Sequence, residues 1–287
     1  MTHSARLFYQ PTIWVLTGIC IATMGYVVWL SLHDVSLLRS GPSSFVGLSN
    51  FVRLFSDARG YAALGRTALF TCLATAIEVG LGLSIAVLMD RDFKGKRIVR
   101  ALLLIPMIMT PVVTGLTWRF LFNAQSGMIN YGLSLLGWTA PVDWLGSPNI
   151  ALYSVMAADV WQWTPFVILL AMAALENVSS EVTEAANIDG ANGLQTFWYV
   201  VLPILRPALV VAGLIRAIDS AKAFDLFYIM TKGGPALSTE TENLYGYSVA
   251  FTNFDISYSI TIALILTVVT NLALLALYGA LASKKVG

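Results

Sequence analysis

The stretch Glu184-Ala185-Ala186-Asn187-Ile188-Asp189-Gly190-Ala191, with Leu202-Pro203 and Pro207 downstream, decides how the rest of the chain is read. It is short, acidic and built of small side chains, and it lies between two long apolar runs. It therefore sits on a loop outside a membrane. Ser180 predicts an N-cap, with Glu181 and Glu184 in the first turn, where carboxylates favour the positive end of the helix dipole. Asp189-Gly190 predicts a turn, because Gly takes left-handed backbone angles cheaply. A second short helix over 191–201 is expected to be stopped by Pro203. Ala185, Ala186, Gly190 and Ala191 leave little side chain between this backbone and whatever approaches it. A solvent loop has no use for that, whereas a helix docked in a protein groove has. The other reading is an amphipathic hairpin resting on the membrane surface, which its acids disfavour against an anionic leaflet.

Composition supports a membrane setting. Of 287 residues, 57% are hydrophobic and only 11% charged, with a mean hydropathy of +0.74. About a quarter of an ordinary soluble domain is charged, so this is an integral membrane protein in contact with lipid. A net charge of +1 gives no footing for nucleic acid. Cys20 and Cys72 lie in apolar runs, which argues against a disulfide scaffold and against zinc. His3 and His33 are the only histidines, so neither a histidine metal cluster nor a His-based triad is expected.

Six runs are long enough to cross a hydrocarbon core of about 30 Å, which takes about 20 helical residues. They cover 11–31, 65–89, 100–122, 151–175, 206–230 and 258–282. The fold class is thus all-α integral membrane, one transmembrane domain over 1–287 with a helical loop at 176–205. The first run is too long for a signal-peptide core and no small-residue cleavage site follows it, so it reads as a retained helix. An even number of spans places both termini on one side. That side holds Arg6, Arg91, Lys94, Lys96, Arg97, Arg100, Arg206, Lys284 and Lys285, nine of the 17 Lys and Arg. The other holds Arg39, Arg53, Arg59, Arg66 and Lys232. The positive-inside rule puts both termini and the Glu184 loop in the cytoplasm. On the outer side, Phe45, Leu48, Phe51 and Phe55 read as one apolar face of a short helix, either touching a partner or lying on the leaflet.

Ionisable groups inside a span are costly, so each is a functional candidate. Arg216, Asp219, Lys222 and Asp225 recur every three residues in the fifth run, with Phe224, Phe227 and Tyr228 beside them. Neighbours at i and i+3 pair, and the face drifts round the helix, which suits a winding passage. Aromatic faces beside hydrogen-bonding groups are what a sugar or polyol needs, with its C–H patches and hydroxyls. Asp159, Gln162 and Trp163 lie in the fourth run. At 1.5 Å per residue, Asp159 is roughly 12 Å and Asp219 roughly 17 Å below the outer ends of their spans. Asp159, Gln162, Asp219 and Lys222 are thus candidate polar contacts to a transported solute, with Trp163, Phe224 or Tyr228 as a stacking surface. The competing reading has these charges pairing among helices or with a second subunit. Glu78 has no charged neighbour within a turn and reads as a structural or inter-subunit hydrogen bond. Arg119, near the outer end of the third run, can snorkel to the interface and reads as structural. Pro106 and Pro111 predict kinks in the third run, and Gly233-Gly234-Pro235 an outer turn.

Glu-Ala-Ala, three residues, Gly, then Leu-Pro a dozen residues on resembles the coupling-loop motif of ABC importer permeases. The strings FVGLSNFVRLF, LLLIPMIMTPVVTGLTWRFLFNAQSGMIN and IMTKGGPALSTETENLYGYSVAFTNFDISYS look like the carbohydrate-uptake branch of that family. The resemblance covers nearly the whole chain, from Pro11 to about Ser283. It implies a bacterial or archaeal inner-membrane subunit that imports a disaccharide such as trehalose or maltose, a monosaccharide, a polyol or glycerol phosphate. It implies a second permease subunit, two ATPase subunits carrying ATP and Mg, and an extracytoplasmic solute-binding protein. In that picture Glu181, Glu184, Ala185, Ala186, Asp189, Gly190, Ala191 and Pro203 belong to the coupling element. Glu184 is its polar anchor in the ATPase groove. The chain itself has no Gly-x-x-x-x-Gly-Lys-Ser/Thr loop, nucleophile elbow or metal-ligand cluster, so it is expected to be non-catalytic and to hold no cofactor. The alternative is a secondary transporter driven by an ion gradient, which would show paired repeats with broken helices.

Overall fold

Apolar runs at bilayer depth fold as helices because hydrocarbon offers no partner for a bare backbone N–H or C=O. The computed structural model describes residues 3–38, 43–138 and 140–283. In chain order these form α1 (His3–Ser31), a two-stranded antiparallel hairpin of β1 (His33–Asp34) and β2 (Ser44–Phe45), and α2 (Ser49–Phe55). Then come α3 (Ala58–Asp90), α4 (Lys96–Ile108), α5 (Pro111–Leu121), α6 (Met128–Leu135), α7 (Ala151–Leu175), α8 (Ser180–Ile188) and α9 (Gly193–Thr196). A π-turn, Phe197–Val201, leads into α10 (Leu202–Ala221), followed by α11 (Asp225–Met230), α12 (Glu242–Phe251) and α13 (Ile256–Ser283). Five helices are long and apolar enough to cross a membrane, six when the bent pair α4–α5 counts as one span. Arg39, Lys284 and Lys285 of the charge balance lie outside the described residues.

Three expectations need correction. The run 100–122 is not one kinked helix: α4 and α5 meet at 99° across Met109 and Thr110. Pro111 opens α5 at its first position, where its missing N–H costs nothing, and Thr110 caps that helix by accepting from Val113 N. The run 206–230 is likewise not continuous, because α10 ends at Ala221 and α11 begins at Asp225. The charged ladder is therefore split between two helices. Nor does Pro203 stop a helix. In the π-turn Leu202 N–H reaches back five residues to Phe197 O. The widened turn makes room for the ring, which would otherwise crowd the carbonyl four residues before it.

The chain divides into two compact units, Met1–Ala62 with Tyr245–Val268, and Ala63–Leu244 with Val269–Gly287. In the first, Phe45 and Phe55 do not share a helix face as expected; Phe45 lies in β2 and only Phe51 and Phe55 lie in α2. Asn50 ties the hairpin to the end of α1 through Ser31 O at 2.8 Å. Arg53 bridges to Asp255 at 2.6 Å and lies over the Tyr258 ring at 3.8 Å. Asp57 accepts hydrogen bonds from the hydroxyls of Tyr245 and Tyr258. Burial pushes the Asp57 carboxyl up, but those hydroxyls and the N–H groups of Gly60 and Arg59 outweigh it and hold it below its usual range. Burial, then the bond to Asp57, pushes Tyr245 up to about 12.

The second unit is packed around α7, most of whose residues are buried. Ala86 and Met89 of α3, Ile168 to Leu175 of α7, and Leu205 and Leu209 of α10 form one core, with Leu103 of α4 against it. Gly82 allows α3 to touch α7, since a Cβ there would lie 2.6 Å from Val167. Gly115 does the same for α5 against Ile229 of α11, at 3.1 Å.

Candidate solute path and coupling hairpin

Three helices contribute ionisable groups to one buried point in the second unit. Arg216 of α10 donates from Nε to Glu78 Oε2 at 2.7 Å and from Nη2 to Glu78 Oε1 at 2.9 Å. Nη2 also reaches Asp159 Oδ2 of α7 and Ser220 Oγ, each at 2.9 Å. Glu78 is 0% exposed, Arg216 1% and Asp159 3%. The planar guanidinium fits the Glu78 carboxylate two-pronged, the geometry in which Arg serves a desolvated pair best. Trp163 covers its face at 4.8 Å, adding a cation–π contact.

The sequence candidates separate accordingly. Asp159 is held by Arg216. Gln162 is fully buried and donates from Nε2 to Met109 O at 2.9 Å, satisfying a carbonyl freed by the α4–α5 break, while its Oε1 has no partner among the described residues. Asp219 stands 4.0 Å from Arg216 with its side chain 53% exposed. Lys222 is the exposed C-cap residue of α10. Trp163, Phe224 and Tyr228 are half-buried, and the last two rings stack at 5.3 Å. Glu78 does make a structural contact, with a partner inside this chain. It and Arg216 form the centre of the polar cluster. Sequence reading placed neither among the site residues, although two isolated mid-span charges of opposite sign on different helices are a pairing signal. Arg119, expected to be structural, donates to Ile229 O at 3.1 Å.

The Glu184 segment forms a helical corner: α8 turns at Gly190 into α9, which runs on through the π-turn into α10. α8 starts after Ser179 rather than Ser180, with no side-chain cap bond. It ends in the six-to-one and five-to-two pair of bonds that marks a Schellman stop: Ala191 N to Ala186 O and Gly190 N to Asn187 O, both 3.0 Å. Gly190 supplies the left-handed residue this stop needs, at φ +84°. Asn192 then caps α9 reciprocally with Gln195, at 2.8 and 2.9 Å. Glu181, Glu184, Ala185, Asp189, Gly190 and Pro203 are exposed, Ala186 and Ala191 half-buried. Ile188 at the end of α8 is 87% exposed.

Apolar helices of membrane-spanning length around a buried ionic cluster define an integral membrane protein, with α8 capped off between two of them. Residues 78–286 match the family of binding-protein-dependent transport system inner membrane components, and the chain belongs to that family. It is 37% identical to the trehalose/maltose transport system permease protein MalF of Thermococcus litoralis, over 82% of this chain and 78% of that one. It is 30% identical to the trehalose transport system permease protein SugA of Mycobacterium tuberculosis, over 91% and 83%. The fold matches a chain in the crystal structure of a bacterial ABC transporter involved in the import of the acidic polysaccharide alginate, with a TM-score of 0.76 at 17% identity, covering 97% and 99%. Family membership decides for a binding-protein-dependent permease of the inner membrane over an ion-gradient carrier.

Proposed function

We propose that this chain carries a neutral sugar, of the trehalose or maltose kind, across the membrane, driven by ATP hydrolysed on two separate ATPase subunits. The names of its relatives support the solute class. The observation that carries the proposal is the split between locked and available polar groups. Asp159, Glu78 and Arg216 satisfy one another, whereas Asp219 stands half-exposed beside them. Asp219 and Lys222 would bind hydroxyls, with Trp163 and the Phe224–Tyr228 stack offering faces to C–H patches. Asp159 and Gln162 would act from behind, through Arg216 and through the α4–α5 break.

The segment 176–205 would be the element moved by the ATPases, with Glu184 and Ile188 in their groove and Ala185, Ala186 and Gly190 at the close contact. A second permease subunit and an extracytoplasmic binding protein complete the assembly, with both termini of this chain in the cytoplasm. Tagged protein purified from membranes should bring an ATPase and a second permease with it. Asp219→Ala and Lys222→Ala should each abolish sugar uptake while leaving that assembly intact. Uptake at the normal rate by both variants would end the solute-path assignment, and purification of the chain alone would end the coupling assignment.

A further inference from the structure

A groove of about 760 Å³ runs between α3, α4 and α7, on a different set of α7 residues from the polar cluster. We propose that it holds one acyl chain of an anionic phospholipid, with the lipid phosphate lying against the exposed basic cluster of Arg91, Lys94, Arg97 and Arg100. Its lining is mostly branched and aliphatic, from Ile85, Val99, Leu103 and Ile168 at one end through Val160 and Trp161 to Tyr153 at the other. The one hydroxyl in its middle, Thr164 Oγ1, is already engaged with Val160 O at 2.6 Å. A sugar would find almost no donors or acceptors there; a hydrocarbon chain needs none.

Charge complementarity identifies the headgroup. The end lined by Ile85 and Val99 is the end at which α3 passes into α4 through the densest basic segment of the chain. Arg91, Lys94, Lys96, Arg97 and Arg100 stand in that segment with two acids, Asp90 and Asp92. Lys96 is engaged with Asp92 at 3.4 Å and Asp90 O at 3.1 Å, and the other four cations are exposed. Arg100 is flanked by groove-lining Val99 and Leu103 on the same helix. Along α4 the lined stretch from Val99 to Pro106 rises about 10 Å, a good part of the roughly 15 Å that one leaflet of hydrocarbon provides. A phosphate at the basic end thus places its chain along the groove.

A second polypeptide fits less well. Helices that pack in membranes approach through small residues, and of the groove's lining only Ala157 and Thr164 are small, the latter's hydroxyl already engaged. By contrast, a second groove between α3 and α10 presents Thr75, Ala76, Gly213 and Ala217.

Native mass spectrometry of the full-length chain in mild detergent, titrated separately with phosphatidylglycerol and phosphatidylcholine, tests the assignment. Wild type should retain one phosphatidylglycerol, preferred about tenfold or more, as the cations near its phosphate imply. Ala157→Trp, an exposed groove position, should lose that retention. Replacing the exposed Arg91, Lys94, Arg97 and Arg100 together by Gln should bring the two lipids to equal affinity while still holding a chain. In membranes carrying the whole transporter, a photo-crosslinking residue at position 102 should yield a lipid adduct. Equal affinity for the two lipids in wild type, undiminished retention in Ala157→Trp, or a polypeptide adduct at position 102 would each overturn the proposal.

Discussion

Arg216→Met is the sharpest test of what holds the second unit together. The substitution removes four hydrogen bonds, two to Glu78 and one each to Asp159 and Ser220. It leaves two carboxylates, 0% and 3% exposed, with no cation beside them. Counted as neutral interhelical bonds in a membrane, at about 0.6 kcal/mol each, the loss would come to about 2 kcal/mol. Counted as a buried ion pair broken on one side, it comes to about 3–5 kcal/mol, because the desolvated charges stay behind. The second effect dominates, and it has a signature. Replacing all three charges together, Glu78→Gln, Asp159→Asn and Arg216→Met, removes the stranded carboxylates along with the cation. Buried ion clusters exchanged wholesale in this way are often neutral in stability, so the triple variant should lie at least about 2 kcal/mol above the single one. Unfolding in mixed detergent–SDS micelles, followed by tryptophan emission, measures both, since Trp163 lies over the guanidinium. A loss under about 1 kcal/mol for Arg216→Met, or a triple variant no better than the single, would refute the reasoning.

Gly190→Val should uncouple ATP hydrolysis from uptake in the assembled transporter. Its φ of +84° costs an ordinary residue about 1–2 kcal/mol and would undo the stop that shapes the corner; parallel ATPase and uptake assays decide, and unchanged coupling would count against the corner's role. Gly82→Ala should destabilise by about 1–3 kcal/mol through overpacking against Val167. Gly80→Ala, with open space around it, should be neutral or gain up to about 1 kcal/mol in helix propensity, as melting curves would show. The first unit should be sensitive to pH at both extremes. Asp57 is held below its usual range, so its contribution is full above the ordinary carboxylate pKa and is lost as pH falls through its lowered value. Tyr245 is raised to about 12, so its contribution is full below the ordinary tyrosine value and is lost as pH rises through about 12. Stability against pH should lose its acid limb in Asp57→Asn and show a weakened alkaline limb in Tyr245→Phe, where the Tyr258 hydroxyl still donates to Asp57.

Much of this was legible in the chain because hydrocarbon permits so few backbone solutions. The bounds 151–175 read from hydropathy alone are those of α7. The turn at Asp189-Gly190 was legible for the same kind of reason, since it rests on local backbone preference. What failed depended on distant partners. Pro106 and Pro111 announce a bend, but its 99° turn is stabilised by Gln162, 53 positions away. Glu78 looked solitary because its partner lies 138 positions along the chain. Spacing within one helix favoured a ladder of Arg216, Asp219, Lys222 and Asp225, whereas the helix ends at Ala221 and its arginine turns inward to α3 and α7.

The π-turn at 197–201 fixes a rotational phase as well as accommodating Pro203. It is one residue longer than the α-helical turn it replaces, and a residue of α-helix subtends about 100°. Deleting any single residue there would convert it to regular helix and swing Glu184 and Ile188 about 100° round the axis of α10. The azimuth at which this chain presents α8 is therefore encoded as an insertion, and a one-codon indel is the mutation that would re-aim it.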